Sequence, residues 1–437
     1  MTNAIVYLTH RFPCRSETFV YREVQALRRR GRRVLTVCLN APEPTTDPAL
    51  ADLAACTQVL YGRGRHRAIA TAAAAAVAHP LRAVIIGAGA VRDAFVPREP
   101  LSPVGRVKVL GQAAAGLALS RLLRPEVVGH IHCHFGNGPT TVGMYAASHL
   151  GVPFSFTGHA HDLFRRRALL RRKLGRAAFV ACISEWHRAF YQSLVPEAGP
   201  RLRLIRCGVD TQKWSPEPRA GRPPGGRRRV LTVCRLVEKK GVDTLIRALA
   251  ELRVRGHPAV ATIAGDGPLR GPLQALARVA GCGDAIEWVG AVENAQVREL
   301  VRRADMFVLP CRTDAEGDRD GIPVALMEAM ACGLPVIAGD LPAVRELVDG
   351  EHTGLIVPAN DAPALAAAMQ RLMLDAGLAA RLAAEGRVRV AGEFSLSVNI
   401  ARLEEAIDAA SVRTRREIAQ ANRRLAARDG NGAAALM

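Results

Sequence analysis

Two carboxylates stand on either side of a predicted helix start in the C-terminal half of the chain. Asp320 and Glu328 bracket the start of the segment DGIPVALMEAMACGLPV, in which Pro323 suits a first helical position and Gly333 suits a helix C-cap. Glu328 is then expected about one and a half turns into the helix. The free backbone N–H groups of such a start bind anions. A carboxylate beside an anion site suits a ligand with hydroxyls next to phosphates, such as a nucleotide sugar. The alternative is an ordinary acidic partner of the helix dipole.

Basic residues and glycines follow other predicted strands of the same half. Arg235 comes directly after the apolar run LTVC, and Lys240 precedes the helix predicted from Gly241. Two fixed cations beside a helix start would form a clamp for a diphosphate. In a chain with 60 Lys and Arg, two unrelated surface cations are the alternative. A further strand-to-helix turn, where glycine lets the backbone approach a ligand closely, consists of Gly265, Asp266, Gly267 and Pro268.

Histidines are concentrated in two stretches of the N-terminal half. They are His130, His132 and His134 in the strand-like run HIHCH, and His159 and His161 after the apolar run FSFT. No cysteine or carboxylate completes a convincing zinc spacing with them, so we expect no metal site. His159 is instead predicted to contact a sugar or a phosphate, and Asp162 follows it in the same loop.

One acidic motif and the cysteines also give no indication of a metal site. Asp318, Arg319 and Asp320 have the DxD form that holds a divalent metal in other nucleotide-sugar enzymes. We interpret this match as coincidence, because that motif belongs to a different fold and the following helix already positions Asp320. The cysteines are scattered without a CxxC pair, and most stand in apolar runs, which is typical of a reducing, cytoplasmic compartment.

The hydrophobic pattern predicts strands and helices in alternation. Ala4–Thr9 is predicted to be a buried strand, Ser16 the N-cap of a helix over Phe19–Arg30, and Arg33–Leu39 the next strand. After a stretch rich in Pro, Gly and Arg, the pattern restarts with the strand Val230–Cys234. We therefore predict an α/β fold of two facing Rossmann-like domains, with ligands at the carboxyl ends of the strands. The segments are an N-terminal acceptor domain (1–210), a linker (211–229), a C-terminal nucleotide-sugar donor domain (230–393), and a helix with a basic tail (394–437) that crosses back to the N-terminal domain.

The region between the first strands and the histidine-rich strand has a weaker pattern. Residues 40–63 show no regular periodicity, and two or three helices are predicted over 68–123. The alanine-rich segment 68–90 is interrupted by His79 and Pro80, so we reject it as a membrane-spanning helix. No basic region precedes the first apolar run of the chain, which argues against a signal peptide.

The formal net charge of +20 favours acidic partners. Aromatic residues make up only 4% of the chain and no nucleic-acid-binding motif is present, which argues against nucleic acid. An anionic membrane or a lipid-phosphate acceptor fits better, and solvated arginine-rich faces are the alternative. The basic clusters lie at residues 28–33, 63–67, 165–176 and 227–229.

Taken together, these residues resemble the retaining glycosyltransferases of family 4, which have the GT-B fold. That family has two acids separated by seven residues in its donor loop, here Asp320 and Glu328, and the run EAMACGLPVI is similar to its pattern. The first acid is usually Glu, so Asp320 keeps the charge but is shorter by one methylene. The resemblance implies that Glu328 binds the ribose hydroxyls.

The resemblance also implies roles for the other candidate residues. Arg235 and Lys240 would hold the diphosphate, and His159 would contact the donor sugar at the reaction centre. The remaining donor-binding residues would be Gly321, Ile322 and Pro323, which present backbone to the sugar, together with Val324, Gly265, Asp266 and Gly267.

The first loop departs from the common family pattern, in which a glycine pair follows the first strand. The chain has FPCRSETFVYREV instead, and this variant with FTGHAHD resembles the subgroup that makes colanic acid and other bacterial exopolysaccharides. Ser16, Glu17 and Thr18 would then face the cleft near the acceptor, with Asp162 on the same side.

The implied reaction moves a hexose from a nucleotide diphosphate sugar to a lipid-linked saccharide acceptor, with retention of configuration. No metal or other cofactor is expected, because Arg235, Lys240 and helix dipoles would offset the charge of the leaving diphosphate. The expected route is front-face attack, in which the leaving phosphate takes the acceptor proton. The expected partners are the donor, the acceptor and an anionic membrane surface but not nucleic acid, for a cytoplasmic protein peripheral on the inner membrane. A nucleotide-sugar epimerase of the same fold and an inactive nucleotide-binding regulator are the alternatives.

Overall fold

The computed structural model describes residues 3–14, 17–45, 47–95, 99–123, 126–159, 168–217 and 227–414. The N-terminal half of these described residues contains a parallel sheet. Its strands are β1 (Ala4–Thr9), β2 (Val34–Cys38), β3 (Gln58–Val59), β4 (Val128–His134), β5 (Phe154–Gly158), β6 (Phe179–Cys182) and β7 (Leu202–Leu204). Their order in the sheet is β3-β2-β1-β4-β5-β6-β7.

A second parallel sheet follows in the C-terminal half. Its strands are β8 (Arg228–Val233), β9 (Ala259–Ala264), β10 (Ile286–Gly290), β11 (Met306–Leu309), β12 (Val336–Gly339) and β13 (Leu355–Val357), in the order β10-β9-β8-β11-β12-β13. In each sheet the strand order reverses beside the first strand, between β1 and β4 and between β8 and β11. This is the doubly wound arrangement, so the predicted α/β fold of two Rossmann-like halves is confirmed.

Helices cover both faces of the two sheets. In the N-terminal half they are α1 (Thr18–Arg29), α2 (Pro48–Ala55), α3 (Arg65–Ala78), α4 (Pro80–Phe95), α5 (Pro103–Leu122), α6 (Gly138–Leu150), α7 (Leu170–Arg176) and α8 (Glu185–Leu194). In the C-terminal half they are α9 (Val242–Val254), α10 (Arg270–Val279), α11 (Asn294–Arg303), α12 (Val324–Ala331), α13 (Ala362–Leu374), α14 (Ala376–Glu393) and α15 (396–414). Among the described helices, none is both long enough and apolar enough to cross a membrane.

Two sequence predictions in the N-terminal half need correction. Residues 40–63 are not irregular, because they contain α2 and β3. The Asp47 side chain accepts a hydrogen bond from Ala49 N and Pro48 opens α2, so a helix-start signal was present and was overlooked. Helix α1 begins at Thr18 with Glu17 at its N-cap and no side-chain cap, and Ser16 lies outside the described residues.

Helix α15 returns to the N-terminal half, as predicted. Val209 N donates to Phe394 O at 2.9 Å and Leu396 N donates to Val209 O at 2.8 Å. The apolar side of the helix, which includes Ile400 and Leu403, is buried in one core cluster with residues of β1 and α1. The helix therefore ties the end of the C-terminal half to the first sheet.

The first part of the predicted linker is packed rather than extended. Trp214 is 0% exposed, and the guanidinium carbon of Arg22 lies 5.9 Å from the centre of its ring. Residues 218–226 lie outside the described residues. Trp214 thus lies in the interior between the two halves. Its large side chain contributes to packing there, as the side chain of an exposed linker residue would not.

Three arginines of the basic cluster at 28–33 form ion pairs within the chain. Arg30 and Arg32 form ion pairs with Glu404 and Asp408 on α15, and Arg33 pairs with Glu126. Arg30 and Arg32 therefore help to hold α15 in place, and the three paired arginines provide little free charge for an external anion.

Burial determines the charge state of His130 in β4. Its side chain is 1% exposed, its Nε2 lies 2.7 Å from Ser155 Oγ, and burial lowers its pKa from 6.5 to about 3. The unfolded chain binds this proton at a higher pH than the folded chain, so stability is lost as the pH falls below about 6.5. Between about pH 7.5 and about pH 5.5, we expect the wild type to lose about 1.4 kcal/mol more unfolding free energy than His130→Gln.

Urea unfolding at both pH values measures these free energies. His66→Gln is the control, because His66 is exposed on α3. This variant should keep the pH dependence of the wild type. The same pH dependence in His130→Gln as in the wild type would show that His130 is protonated in the folded chain at the lower pH.

Candidate functional site

A cleft of about 2170 Å³ lies between the two halves, at the carboxyl ends of both sheets. His159 reaches it after β5, Arg235 after β8 and Asp266 after β9. The structure brings most of the sequence-predicted residues to this cleft. Those that line it are Glu17, Thr18, His159, Arg235, Lys240, Gly265, Asp266, Asp320, Gly321, Ile322, Val324 and Glu328.

Four of the predicted residues are not among the cleft-lining ones. Gly267 packs against the backbone of Leu236, and Pro323 is the N-cap of α12. Ser16 and Asp162 lie outside the described residues. Gly267 therefore allows close packing of the turn after β9 and does not border the cleft.

Two glycines hold the turns at the C-terminal side of the cleft close together. Gly265 has a φ of +139°, and a Cβ placed on it would lie 1.8 Å from Cys234 O. Gly241 has a φ of +64°, and a Cβ there would lie 2.0 Å from Pro310 O. Any larger residue would push the ends of these strands apart, so both positions require glycine.

Asp320 is bound by lysines at the floor of the cleft. Lys240 Nζ donates to Asp320 Oδ2 at 2.6 Å, and Lys239 Nζ lies 3.5 Å from Asp320 Oδ1 and 3.1 Å from Asp318 Oδ2. Burial alone would raise the pKa of Asp320, but the two lysine charges lower it below its usual range. Burial likewise opposes the charge of Lys240, yet the Asp320 carboxylate raises the pKa of this lysine. Both carboxylates of the DxD-like sequence are thus neutralised by lysines.

Arg235 differs from Lys240 in its surroundings. It is exposed at the cleft and forms no ion pair with any described residue. Its guanidinium is therefore available to an incoming anion, whereas Lys240 already has a carboxylate partner. The predicted pair of cations contains one bound and one available charge.

Glu328 stands in α12 and joins the two halves. Arg22 Nη2 of α1 donates to Glu328 Oε1 at 2.6 Å, and the two residues are 7% and 6% exposed. Burial raises the pKa of Glu328, although the nearby Arg22 charge opposes this shift. Sequence reasoning missed Arg22, because nothing in the spacing of α1 connects it with a residue of the other half.

His159 is held by aromatic rings and by a second histidine. The ring centroids of Phe19 and Phe135 each lie 4.6 Å from that of His159. Its Nε2 lies 3.3 Å from His134 Nδ1, and His134 Nε2 lies 3.1 Å from Glu23 Oε2. Burial lowers the pKa of His159 well below its usual value, so the imidazole is neutral near pH 7. A neutral ring suits a hydrogen bond to a sugar better than charge pairing with a phosphate.

A carboxylate does complete a histidine cluster, contrary to the sequence interpretation. Glu23, His132 and His134 place ligand atoms within 4.8 Å of one another. However, His132 Nδ1 lies 2.7 Å from Ser155 Oγ and its Nε2 lies 3.0 Å from Thr157 Oγ1. A metal ion would have to displace these hydrogen bonds, so the cluster is explained by hydrogen bonding in a buried core.

Sequence profiles of two glycosyltransferase families match the chain. The profile described as Glycosyltransferase Family 4 matches residues 16–213, and that described as Glycosyl transferases group 1 matches residues 216–389. The first match covers the N-terminal sheet from α1 onward, and the second covers the C-terminal sheet. The two matches therefore meet between the two halves.

Curated relatives agree with the profile matches. WcaL of Escherichia coli, a putative colanic acid biosynthesis glycosyltransferase, is 37% identical over 202 residues, or 45% of this chain and 48% of the relative. A GDP-mannose-dependent alpha-(1-6)-phosphatidylinositol monomannoside mannosyltransferase of Mycolicibacterium smegmatis is 33% identical over 263 residues, or 58% of this chain and 67% of the relative. The chain spans about half the length of the first relative and about two thirds of the second.

A solved structure gives the same result for the fold. The Anabaena protein HepE in complex with UDP has a TM-score of 0.66 at 16% identity, over 94% of this chain and 100% of that chain. At this identity the likeness concerns the fold alone. With both profiles matched and a relative that is 33% identical over 67% of its length, the chain belongs to family 4 of the glycosyltransferases, which have the GT-B fold.

Proposed function

We propose that the protein transfers a hexose from a nucleotide diphosphate sugar to a lipid-linked saccharide during synthesis of a bacterial exopolysaccharide. The observation that carries this proposal is the convergence of Arg235, Lys240, Glu328 and His159 on one cleft between two Rossmann-like halves. The name of the E. coli relative, a colanic acid biosynthesis glycosyltransferase, supports the polysaccharide product. HepE was solved in complex with UDP, which supports a nucleotide donor.

The donor would lie along the C-terminal half. Glu328 would accept hydrogen bonds from the ribose hydroxyls, and the backbone at the start of α12 would face the sugar and its phosphates. Arg235 would bind the diphosphate directly because its charge is available in the cleft. Lys240 would add a second positive charge near the same phosphates, while Asp320 keeps it in place.

The proposed reaction retains the configuration of the sugar and needs no metal. The bond between the anomeric carbon and the phosphate oxygen breaks, and the acceptor oxygen bonds to the same face of that carbon. The acceptor proton passes to the leaving phosphate oxygen, so no side-chain base is required. Arg235 and Lys240 stabilise the negative charge that develops on the leaving diphosphate, and His159 contacts the sugar.

The acceptor would approach from the N-terminal half. Glu17 and Thr18 line this side of the cleft. The lipid of the acceptor would hold it at the inner membrane. A cytoplasmic protein that is peripheral on this membrane would meet the acceptor there. An epimerase would instead need a carboxyl group that exchanges protons at the sugar, and the two lysine charges lower the pKa of Asp320, which makes its carboxylate a weaker base.

Thermal unfolding with a panel of nucleotides tests the donor site. We expect UDP, GDP or ADP, or one of their sugars, to raise the Tm of the wild type, because a ligand at about 100 times its Kd adds about 2.7 kcal/mol. The same ligand should not raise the Tm of Glu328→Ala, which lacks the ribose contact. Glu405→Ala, which alters an exposed residue of α15, should respond like the wild type. A wild type that responds to no nucleotide would exclude the proposed donor site.

Product analysis separates transfer from epimerisation. The stabilising sugar nucleotide is incubated with the protein, with and without a saccharide acceptor. Transfer predicts a new glycoside only when the acceptor is present. A changed sugar nucleotide in its absence would favour the epimerase.

A further inference from the structure

Helix α4 exposes an apolar face to solvent. Leu81, Val84 and Ile85 are 80%, 69% and 70% exposed, and Val91 and Phe95 are 51% and 57% exposed. These positions follow the helical repeat, so they lie on one side of the helix. We call this surface the α4 face. A surface helix of a globular protein normally places polar residues on this side.

The opposite side of α4 is packed against the protein. Ile86, Ala90 and Ala94 are buried there. The one acid of the helix, Asp93, is also buried, where it accepts a hydrogen bond from Tyr145 Oη at 3.0 Å and pairs with Arg172. Apart from Arg82 and Arg92, the helix is thus apolar on both sides, and the side chains of the α4 face are largely exposed.

The surroundings of the α4 face are basic. Arg92 is exposed on α4, and Arg106 and Lys108 are exposed on the neighbouring helix α5. The Arg106 guanidinium carbon lies 5.7 Å from the centre of the Phe95 ring. The only acids in the sequence between residues 61 and 123 are Asp93 and Glu99, and neither is classed as exposed.

The helices that neighbour α4 line the cleft. Helix α5 contacts α4 and α3. Ile69 of α3, which is 65% exposed, and Lys108 of α5 both line the cleft. A surface that seats α4 would therefore also approach the cleft mouth between α3 and α5.

We propose that the α4 face docks on an anionic lipid bilayer, with its apolar side chains in the interfacial region and the surrounding arginines and lysines against the lipid phosphates. Protein surfaces that bind anionic bilayers combine exposed apolar side chains with surrounding basic residues and lack exposed acids. This surface, rather than the arginine cluster at 28–33, is the membrane contact. The proposal rests on the proposed function in one respect, since it states how a lipid-linked acceptor would reach the cleft.

A second copy of the chain is a poorer occupant of the α4 face. A symmetric dimer places the same patch on both sides of the interface. The basic residues around the α4 face of both copies would then be brought into one interface, and like charges at a closing interface are destabilising. A bilayer of anionic lipid offers opposite charge at the same place.

Vesicle flotation with the full chain tests the proposal. The vesicles contain phosphatidylcholine alone or an equal mixture of phosphatidylcholine and phosphatidylglycerol. We expect the wild type to float with the mixed vesicles, and Leu81→Glu/Ile85→Glu to lose about 10-fold or more of its bound fraction. The control is Val254→Glu/Val279→Glu, which alters two valines of the C-terminal half that are 85% and 87% exposed. It should bind like the wild type.

Three outcomes would overturn the proposal. They are a wild type that binds neither kind of vesicle, an α4 variant that binds as well as the wild type, and a control variant that loses binding equally. Gel filtration of the same samples detects a dimer that only the α4 variant loses, which would assign the face to a second copy. Nucleotide stabilisation in the same preparations separates failure of this proposal from failure of the proposed donor site.

Discussion

Lys240→Ala should lower kcat by about 10²-fold or more, because it removes a fixed positive charge from the leaving diphosphate. It should also lower the Tm, since the Asp320 carboxylate would stay buried after losing its contact at 2.6 Å. Transfer of radiolabelled sugar at saturating donor measures kcat, and calorimetry measures the Tm. The two readouts together distinguish a charge acting on substrate from a purely structural ion pair.

Arg235→Ala is the matched comparison. Arg235 forms no ion pair with a described residue, so its loss should lower kcat by about 10²-fold or more and leave the Tm nearly unchanged. Lys240→Ala/Asp320→Asn removes both charges of the buried pair and should recover part of the Tm but none of the kcat. Near-normal turnover in either single variant would rule out the two-cation clamp.

Arg22→Met should lower the free energy of unfolding by about 3–5 kcal/mol, because it leaves the buried Glu328 carboxylate without its counter-charge. Methionine keeps much of the apolar volume of the arginine stem, so the effect reports charge more than packing. Urea unfolding followed by circular dichroism measures the change.

The control for this prediction is a more exposed ion pair at the C-cap of the same helix. Arg30 pairs with Glu404, and its side chain is 49% exposed. Arg30→Met should therefore cost at most about 1 kcal/mol. Arg22→Met/Glu328→Gln should be more stable than Arg22→Met alone, because no buried charge remains. Equal losses in Arg22→Met and Arg30→Met would show that water reaches the Arg22–Glu328 pair.

The local sequence pattern was sufficient to predict the elements that position the candidate site residues of the C-terminal half. Asp320 and Glu328 were placed correctly in a loop and in a helix because the proline and glycine signals around them act over a few residues. The same local signals marked the turns in which Arg235 and Gly265 reach the cleft. The overlooked α2 had an Asp47–Pro48 start, so that error came from the interpretation and not from a missing signal.

Contacts between the halves could not be predicted in this way. Arg22 and Glu23 stand next to each other in α1, yet Arg22 pairs with Glu328 of the other half, whereas Glu23 contacts His134 of its own half. The helical repeat identified the buried side of α1 but not which partners would cover its polar residues. The Arg22–Glu328 pairing depends on how the two halves meet, and no residue spacing within a single segment indicates it.

The return of α15 limits how the cleft can move. The chain passes between the halves near Val209 and again near Phe394 and Leu396, and these two passages are hydrogen-bonded to each other. A Cβ on Gly208 would lie 2.4 Å from Leu396 Cα, so the passages lie in direct contact. Two connections at one place form a single hinge, and relative movement of the halves becomes a rotation about it rather than a slide. Residues at the cleft mouth would then move farthest, because they lie farthest from the hinge. Residues that face each other across the cleft would stay opposite each other as the cleft opens and closes.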